Sequence, residues 1–294
     1  MRRTEISRRQ MLRAGGAAAL AVPVTGFLGG CTFTQPGSGQ PTGSTLDRLK
    51  QQGYARIAIA NEPPYTQINP DGSVTGAEPD VVAAVLKRMG VPRIEGIVTP
   101  YESMIPGLNA SRWDIIAAGL FMKQSRCSQI RYSEPEIVST ESFAVPAGNP
   151  KKLTGIAAVK ADPALKIAVL PGGFEDGALK TAGVPASQVV NIPDGRSGIE
   201  AVQAGRADAF FLPTLSLNAL KTEGIEITGP ITDVQQTGSG AGFRQADGDL
   251  VAAYDEQLKA LKATPEFDQI LGKWGFSGDA ARSVTREQLC AVPG

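Results

Sequence analysis

The chain of 294 residues contains no histidine, which removes the commonest general base and the commonest transition-metal ligand together. Neither a Ser-His-Asp nor a Cys-His nucleophile can be assembled from it. Cysteine occurs three times, at Cys31, Cys127 and Cys290. These spacings make neither a CxxC pair nor a four-thiolate site, so no zinc is expected. Neither histidine-based catalysis nor a bound metal or cofactor is expected.

The first thirty residues read as an address. Ser7-Arg8-Arg9-Gln10-Met11-Leu12 resembles a twin-arginine export signal and is followed by a small, apolar stretch to Gly30. Pro23 and the seven glycines and alanines between residues 14 and 21 make that stretch a poor spanning helix. Leu28-Gly29-Gly30-Cys31 resembles a lipobox, which implies lipidation of Cys31 and a mature chain of 264 residues. Residues 32–45 are rich in Gly, Pro, Ser, Thr and Gln without any core-forming pattern. As a leash they reach roughly 50 Å at ~3.5 Å per residue. The expected location is therefore exported and lipid-anchored at the outer face of the cytoplasmic membrane.

Charge excludes a further class. The whole chain balances 29 basic against 29 acidic residues, and without residues 1–30 the count is 24 against 28. A mildly acidic surface lacks the clustered Lys and Arg that nucleic acid requires. With 42% hydrophobic residues the chain can bury a substantial core.

From residue 46 short apolar strands alternate with amphipathic helices, an α/β pattern. The spacing predicts helices over 46–52, 78–89 and 102–110 and strands over 56–60, 94–98 and 114–118. Gly90 supplies the left-handed stop for the second helix. An extended run over 137–145 precedes Pro146-Ala147-Gly148-Asn149-Pro150, after which the alternation restarts. Strands are predicted over 166–170, 188–192, 207–212 and 225–227, with helices over 174–181, 197–204 and 214–222 between them. A return strand over 238–243 and helices over 249–262 and 265–274 complete the pattern. Two lobes result, 46–142 with 237–294 and 143–236, with one continuous sheet as the alternative. Lobes joined by two extended crossings form a cleft that can close on a small ligand.

Glu134-Pro135 after Arg126, the Gly205-Arg206-Ala207-Asp208-Ala209 segment and Thr264-Pro265-Glu266-Phe267 resemble the polar-amino-acid family of type II periplasmic binding proteins. The resemblance covers nearly all of residues 46–290. Within that family the chain is similar to ectoine and hydroxyectoine-binding proteins of ABC importers. The blocks that carry this are Ala60-Asn61-Glu62-Pro63-Pro64-Tyr65, Val85-Leu86-Lys87-Arg88-Met89-Gly90, Ile105-Pro106-Gly107-Leu108, Ala117-Ala118-Gly119-Leu120-Phe121 and Arg126-Cys127.

The resemblance implies a two-lobed type II periplasmic-binding-protein fold with two crossover strands. It also implies capture of a small zwitterion for a membrane permease by a monomer. Arg126 is implied as the partner of the ligand carboxylate, since a guanidinium offers parallel donors in the carboxylate plane. Tyr65, Tyr101 and Phe121, at expected strand-to-helix junctions, are implied as an aromatic enclosure for a delocalised cation. Glu62 is implied to accept from ring N–H groups, which a methylated betaine lacks. Phe174 is implied as an apolar lid from the second lobe.

One departure bears on the ligand. Many amino-acid relatives carry an aspartate five residues beyond the Gly-Arg-x-Asp aspartate, here Asp208, and this chain has Pro213 there. The grip on an α-ammonium is missing. Betaines and polar amino acids remain alternatives, as does an enzyme resembling cyclohexadienyl dehydratases with Glu62 as acid or base. With Cys31 lipidated, Cys127 and Cys290 are left in an oxidising compartment and are expected to pair.

Overall fold

The computed structural model describes residues 43–293. The export signal expected over 1–30, the expected lipidation site Cys31 and most of the expected leash lie outside them. The end of the leash is already structured. Ser44 caps the helix Thr45–Gln52, its side chain accepting from the Asp47 N–H while the Asp47 carboxylate accepts from the Ser44 N–H. Thr45 then donates to Asp247 at 2.6 Å. Reciprocal capping of this kind satisfies two donors that a helix start leaves open, so the helix begins one residue before the expected boundary.

Two five-stranded sheets replace the alternative of one continuous sheet. The first runs Arg93–Val98, Tyr54–Ile59, Ile115–Ile116, Gly242–Phe243, Arg131–Tyr132. Its first three strands are parallel, and Gly242–Phe243 is antiparallel to both neighbours. The second runs Val189–Asn191, Ile167–Val169, Ala209–Pro213, Glu141–Pro146, Ile225–Ile227. Here Glu141–Pro146 is the antiparallel insertion.

Between the sheets lies a separate ladder, Ile137–Ser139 antiparallel to Thr237–Ser239. These are the two crossings of a two-lobed type II binding-protein fold. The runs expected over 137–145 and 238–243 each break in two for this reason. Thr140 ends one ladder and the next strand joins another, and the Thr140 carbonyl accepts instead from the Thr214 N–H at 2.8 Å.

Apolar periodicity explains the packing of the first lobe. Val81, Val82, Val85 and Leu86 of helix Ala77–Arg88 share one cluster with Leu258 and Leu261 of Gly248–Lys262 and with Phe267 and Leu271 of Pro265–Lys273. Gly90 closes the first of these helices at φ 85°, a left-handed conformation that suits glycine. A hairpin, Gln67–Ile68 with Val74–Thr75, and short helices such as Gln124–Cys127 and Arg286–Cys290 were not expected. Segments of two to five residues carry no readable period.

Cys127 and Cys290 form a disulfide with Cα atoms 5.8 Å apart. It fastens the C-terminal helix beside Arg126.

Candidate functional site

The chain turns that follow the parallel strands converge on the cleft. Glu62 and Tyr65 lie in the turn after Tyr54–Ile59; the hairpin Gln67–Thr75 separates them from the next helix, so Tyr65 is not at a strand-to-helix junction. Tyr101 opens the helix Tyr101–Asn109, Phe121 falls between Ile115–Ile116 and Gln124–Cys127, and Phe174 opens the helix Phe174–Thr181. All six residues singled out in the sequence, Glu62, Tyr65, Tyr101, Phe121, Arg126 and Phe174, line one cavity together with Gly119, Glu175, Leu212 and Pro213.

The space left between these side chains is ≈ 10 Å³, about enough for one water. An entering solute must spread the lobes.

Aromatic edges build the walls. Tyr65 meets Phe121 with ring centroids 5.8 Å apart at 70°, and Phe121 meets Phe174 of the other lobe at 6.0 Å and 73°. Tyr65 is backed by Phe276 at 4.9 Å and donates to the Ser139 hydroxyl on a crossing strand. Gly119, at φ 65°, leaves room for that ring, since a Cβ there would lie 2.7 Å from Tyr65 Cδ1.

Polar contacts close the cleft across the lobes. Glu62 Oε1 accepts from Ser216 of the second lobe at 2.5 Å, and Oε2 accepts from the Tyr101 hydroxyl at 3.1 Å. That hydroxyl also lies 3.2 Å from the Ala118 carbonyl. Arg126 is 5% exposed and donates to two main-chain carbonyls, Phe121 at 2.6 Å and Gly172 of the second lobe at 2.7 Å. Its donors thus face backbone oxygens of both lobes. Gly172, at φ 73°, approaches so closely that a Cβ would lie 2.8 Å from the Glu102 nitrogen.

Burial sets the electrostatics. It pushes the Glu62 carboxyl up to about 7, with the Glu175 charge adding and the Ser216 and Tyr101 hydrogen bonds opposing. Glu175 is also raised, burial first, against the pull of a hydrogen bond with Glu141 and the charges of Arg126 and Lys123. Lys123 reaches the second-lobe helix near Gly177, and burial followed by the Arg126 charge lowers its amine to about 8. Burial weakens protonation of Arg126 as well, although a guanidinium stays charged in proteins.

Glu175, Leu212 and Ser216 were not singled out in the sequence, whereas Pro213 was, as the place where amino-acid relatives carry an aspartate. Glu175 had a detectable signal, an acidic residue next to Phe174 at a predicted helix start. Ser216 had none, because its partner Glu62 is 154 residues away.

Residues 55–277 match the model of the bacterial extracellular solute-binding proteins, family 3. The chain belongs to this family. It is also 32% identical, over 96% of its length and 95% of the relative's, to a probable amino-acid ABC transporter periplasmic-binding protein, y4tE, of Sinorhizobium fredii (strain NBRC 101917 / NGR234). An L-arginine-binding protein of Pseudomonas aeruginosa is 27% identical over 76% of this chain and 88% of its own. Among solved structures, EhuB in complex with hydroxyectoine superposes with a TM-score of 0.82 at 44% identity, covering 84% of this chain and 98% of EhuB. The ancestral amino-acid-binding protein AncCDT-1, a precursor of cyclohexadienyl dehydratase, shares the fold at TM-score 0.70 and 23% identity.

Proposed function

We propose that this solute-binding protein captures ectoine or hydroxyectoine by cleft closure and delivers it to the permease of an ABC importer. The observation that carries the reading is one buried cavity edged by carboxyls from opposite lobes, Glu62 and Glu175, by the guanidinium of Arg126, and by aromatic rings between them.

A cyclic amidinium bearing a carboxylate matches that set. Its two ring N–H groups can donate to the two carboxyls, its delocalised charge can lie against Tyr65, Tyr101 and Phe121, and its carboxylate can take the paired donors of Arg126. A methylated betaine offers no N–H, so neither carboxyl would gain a charge-assisted hydrogen bond from it. Pro213 lines the cavity where an α-ammonium would want a carboxylate. The likeness to hydroxyectoine-bound EhuB supports the same ligand class.

The lobes 46–142 with 237–294 and 143–236 close about the crossing strands. The protein acts as a monomer, without catalysis, held by lipid on Cys31 at the outer face of the cytoplasmic membrane. Isothermal titration of the chain starting at Thr32 with ectoine, hydroxyectoine, glycine betaine, proline, glutamine and arginine tests the ligand. Heat with the two ectoines and silence with the amino acids is expected. Tight binding of an amino acid or of betaine instead would overturn the ectoine assignment.

A further inference from the structure

Behind Glu175 stands a second carboxyl, Glu141, which does not itself line the cavity. Glu141 begins the strand Glu141–Pro146 immediately after the crossing strand Ile137–Ser139, and pairs in register with the cavity residue Pro213. It is 1% exposed, and Glu175 is 3% exposed. Glu141 Oε1 accepts from the Thr237 hydroxyl at 2.9 Å, on the other crossing strand. Glu141 Oε2 is buried and meets no N–H or hydroxyl donor; the charged group that bears on it most is the Glu175 carboxyl. Two facing buried carboxylates repel, whereas one proton between them makes a hydrogen bond.

We propose that Glu141 is a positioning residue of the binding site: it keeps its proton, donates it to the Glu175 carboxylate, and through Thr237 ties that carboxylate to both crossing strands. Protonation belongs on Glu141 because the cations lie on the other side. Glu175 is faced by Arg126 and Lys123 from the first lobe, whereas burial and the Glu175 charge push Glu141 far up. The remaining ionisable groups around Glu175 are Glu62, Tyr65 and Tyr101 across the cavity. Its own helix adds Asp176, paired with Lys180 at 2.8 Å. The consequence is that the negative charge of the pair sits on Glu175, toward the cavity and a cationic ring, and that this charge and the crossing strands are mechanically linked.

The inference rests on the reading of Glu175 as ligand-facing, so its test includes a readout that needs no ligand. Carboxyl ¹³C NMR of glutamate-labelled protein, with the Glu175 signal assigned by its loss in Glu175→Gln, follows the titration of Glu175 directly. Glu141→Gln keeps a donor for Glu175 and an acceptor for Thr237; Glu141→Ala removes both. The expected Glu175 midpoint stays near the wild-type value in Glu141→Gln and rises by about one pH unit in Glu141→Ala. Ectoine affinity at pH 7 is expected within about twofold of wild type in the first variant and about tenfold weaker in the second, with the acid limb of the affinity profile moved upward.

Equal midpoints in wild type, Glu141→Gln and Glu141→Ala would overturn the role of Glu141 even if ectoine binds. So would equal losses in the two variants. The expected midpoints without any ectoine binding would uphold the role of Glu141 and overturn the ligand.

Discussion

Replacing Glu62 by glutamine should make the ligand-free protein more stable at neutral and alkaline pH while weakening it as a binder. Glu62 is an acid of ordinary value 4.5 held at about 7 in the fold, chiefly by burial. The folded state therefore binds its proton more tightly than the unfolded state does. Linkage then has stability fully present below pH 4.5, falling as pH rises, and lost above pH 7. At 1.36 kcal/mol per pH unit the loss amounts to about 3 kcal/mol.

Glutamine carries no charge to bury, and the site can satisfy it. Its carbonyl accepts from Ser216, and its amide can donate to the Tyr101 oxygen while that hydroxyl turns to the Ala118 carbonyl, already 3.2 Å away. At about 2–4 °C per kcal/mol for a domain of this size, Glu62→Gln should melt about 6–12 °C above wild type at pH 8 and level with it at pH 4.5. Differential scanning calorimetry across that range isolates Glu62, because every other buried acid is common to both proteins. Titration with ectoine should meanwhile weaken at least about tenfold, one charge-assisted hydrogen bond having been lost. A flat difference in melting temperature between pH 5 and 8, or a less stable variant at pH 8, would refute the reasoning.

Three further outcomes are expected. Arg126→Lys should bind ectoine at least about tenfold more weakly in titration calorimetry, since an ammonium cannot present the parallel donors of a guanidinium; unchanged affinity would remove Arg126 from the site. Cys127→Ser with Cys290→Ser opens a link across 163 residues, worth at most about 5 kcal/mol in the chain-entropy model, and should lower the melting temperature by up to about 10–20 °C, with no further loss on adding reductant. Gly172→Ala places a Cβ against the Glu102 backbone at φ 73°. It should hold the lobes apart, seen as a larger radius of gyration with saturating ectoine in small-angle scattering and an affinity loss of about tenfold or more; normal closure would show that this approach is not needed.

Much of the architecture was legible because it is local. Helix Ala77–Arg88 shows its buried face in the spacing of Val81, Val82, Val85 and Leu86 and its stop in Gly90. The strand Tyr54–Ile59 shows an apolar run, and Pro265 at the first position of its helix marks a start. The hairpin after Tyr65 and the four-residue helix bearing Arg126 gave no signal, each being too short for its period to repeat. The breaks at Thr140 and between Ser239 and Gly242 were equally silent, because a strand changes partners there without changing its composition.

The sequence by itself excluded histidine chemistry, and the resemblance carried by its motif blocks named Glu62, Tyr65, Tyr101, Phe121, Arg126 and Phe174 as the groups to watch. Tertiary structure alone decided which further groups stand against them. Ser216 reaches Glu62, Gly172 receives Arg126, and Glu141 backs Glu175. These pairings join residues 34 to 154 positions apart. The raised proton affinity of Glu62 follows from that enclosure, since desolvation depends on what surrounds a carboxyl in space and leaves no trace in its neighbours along the chain.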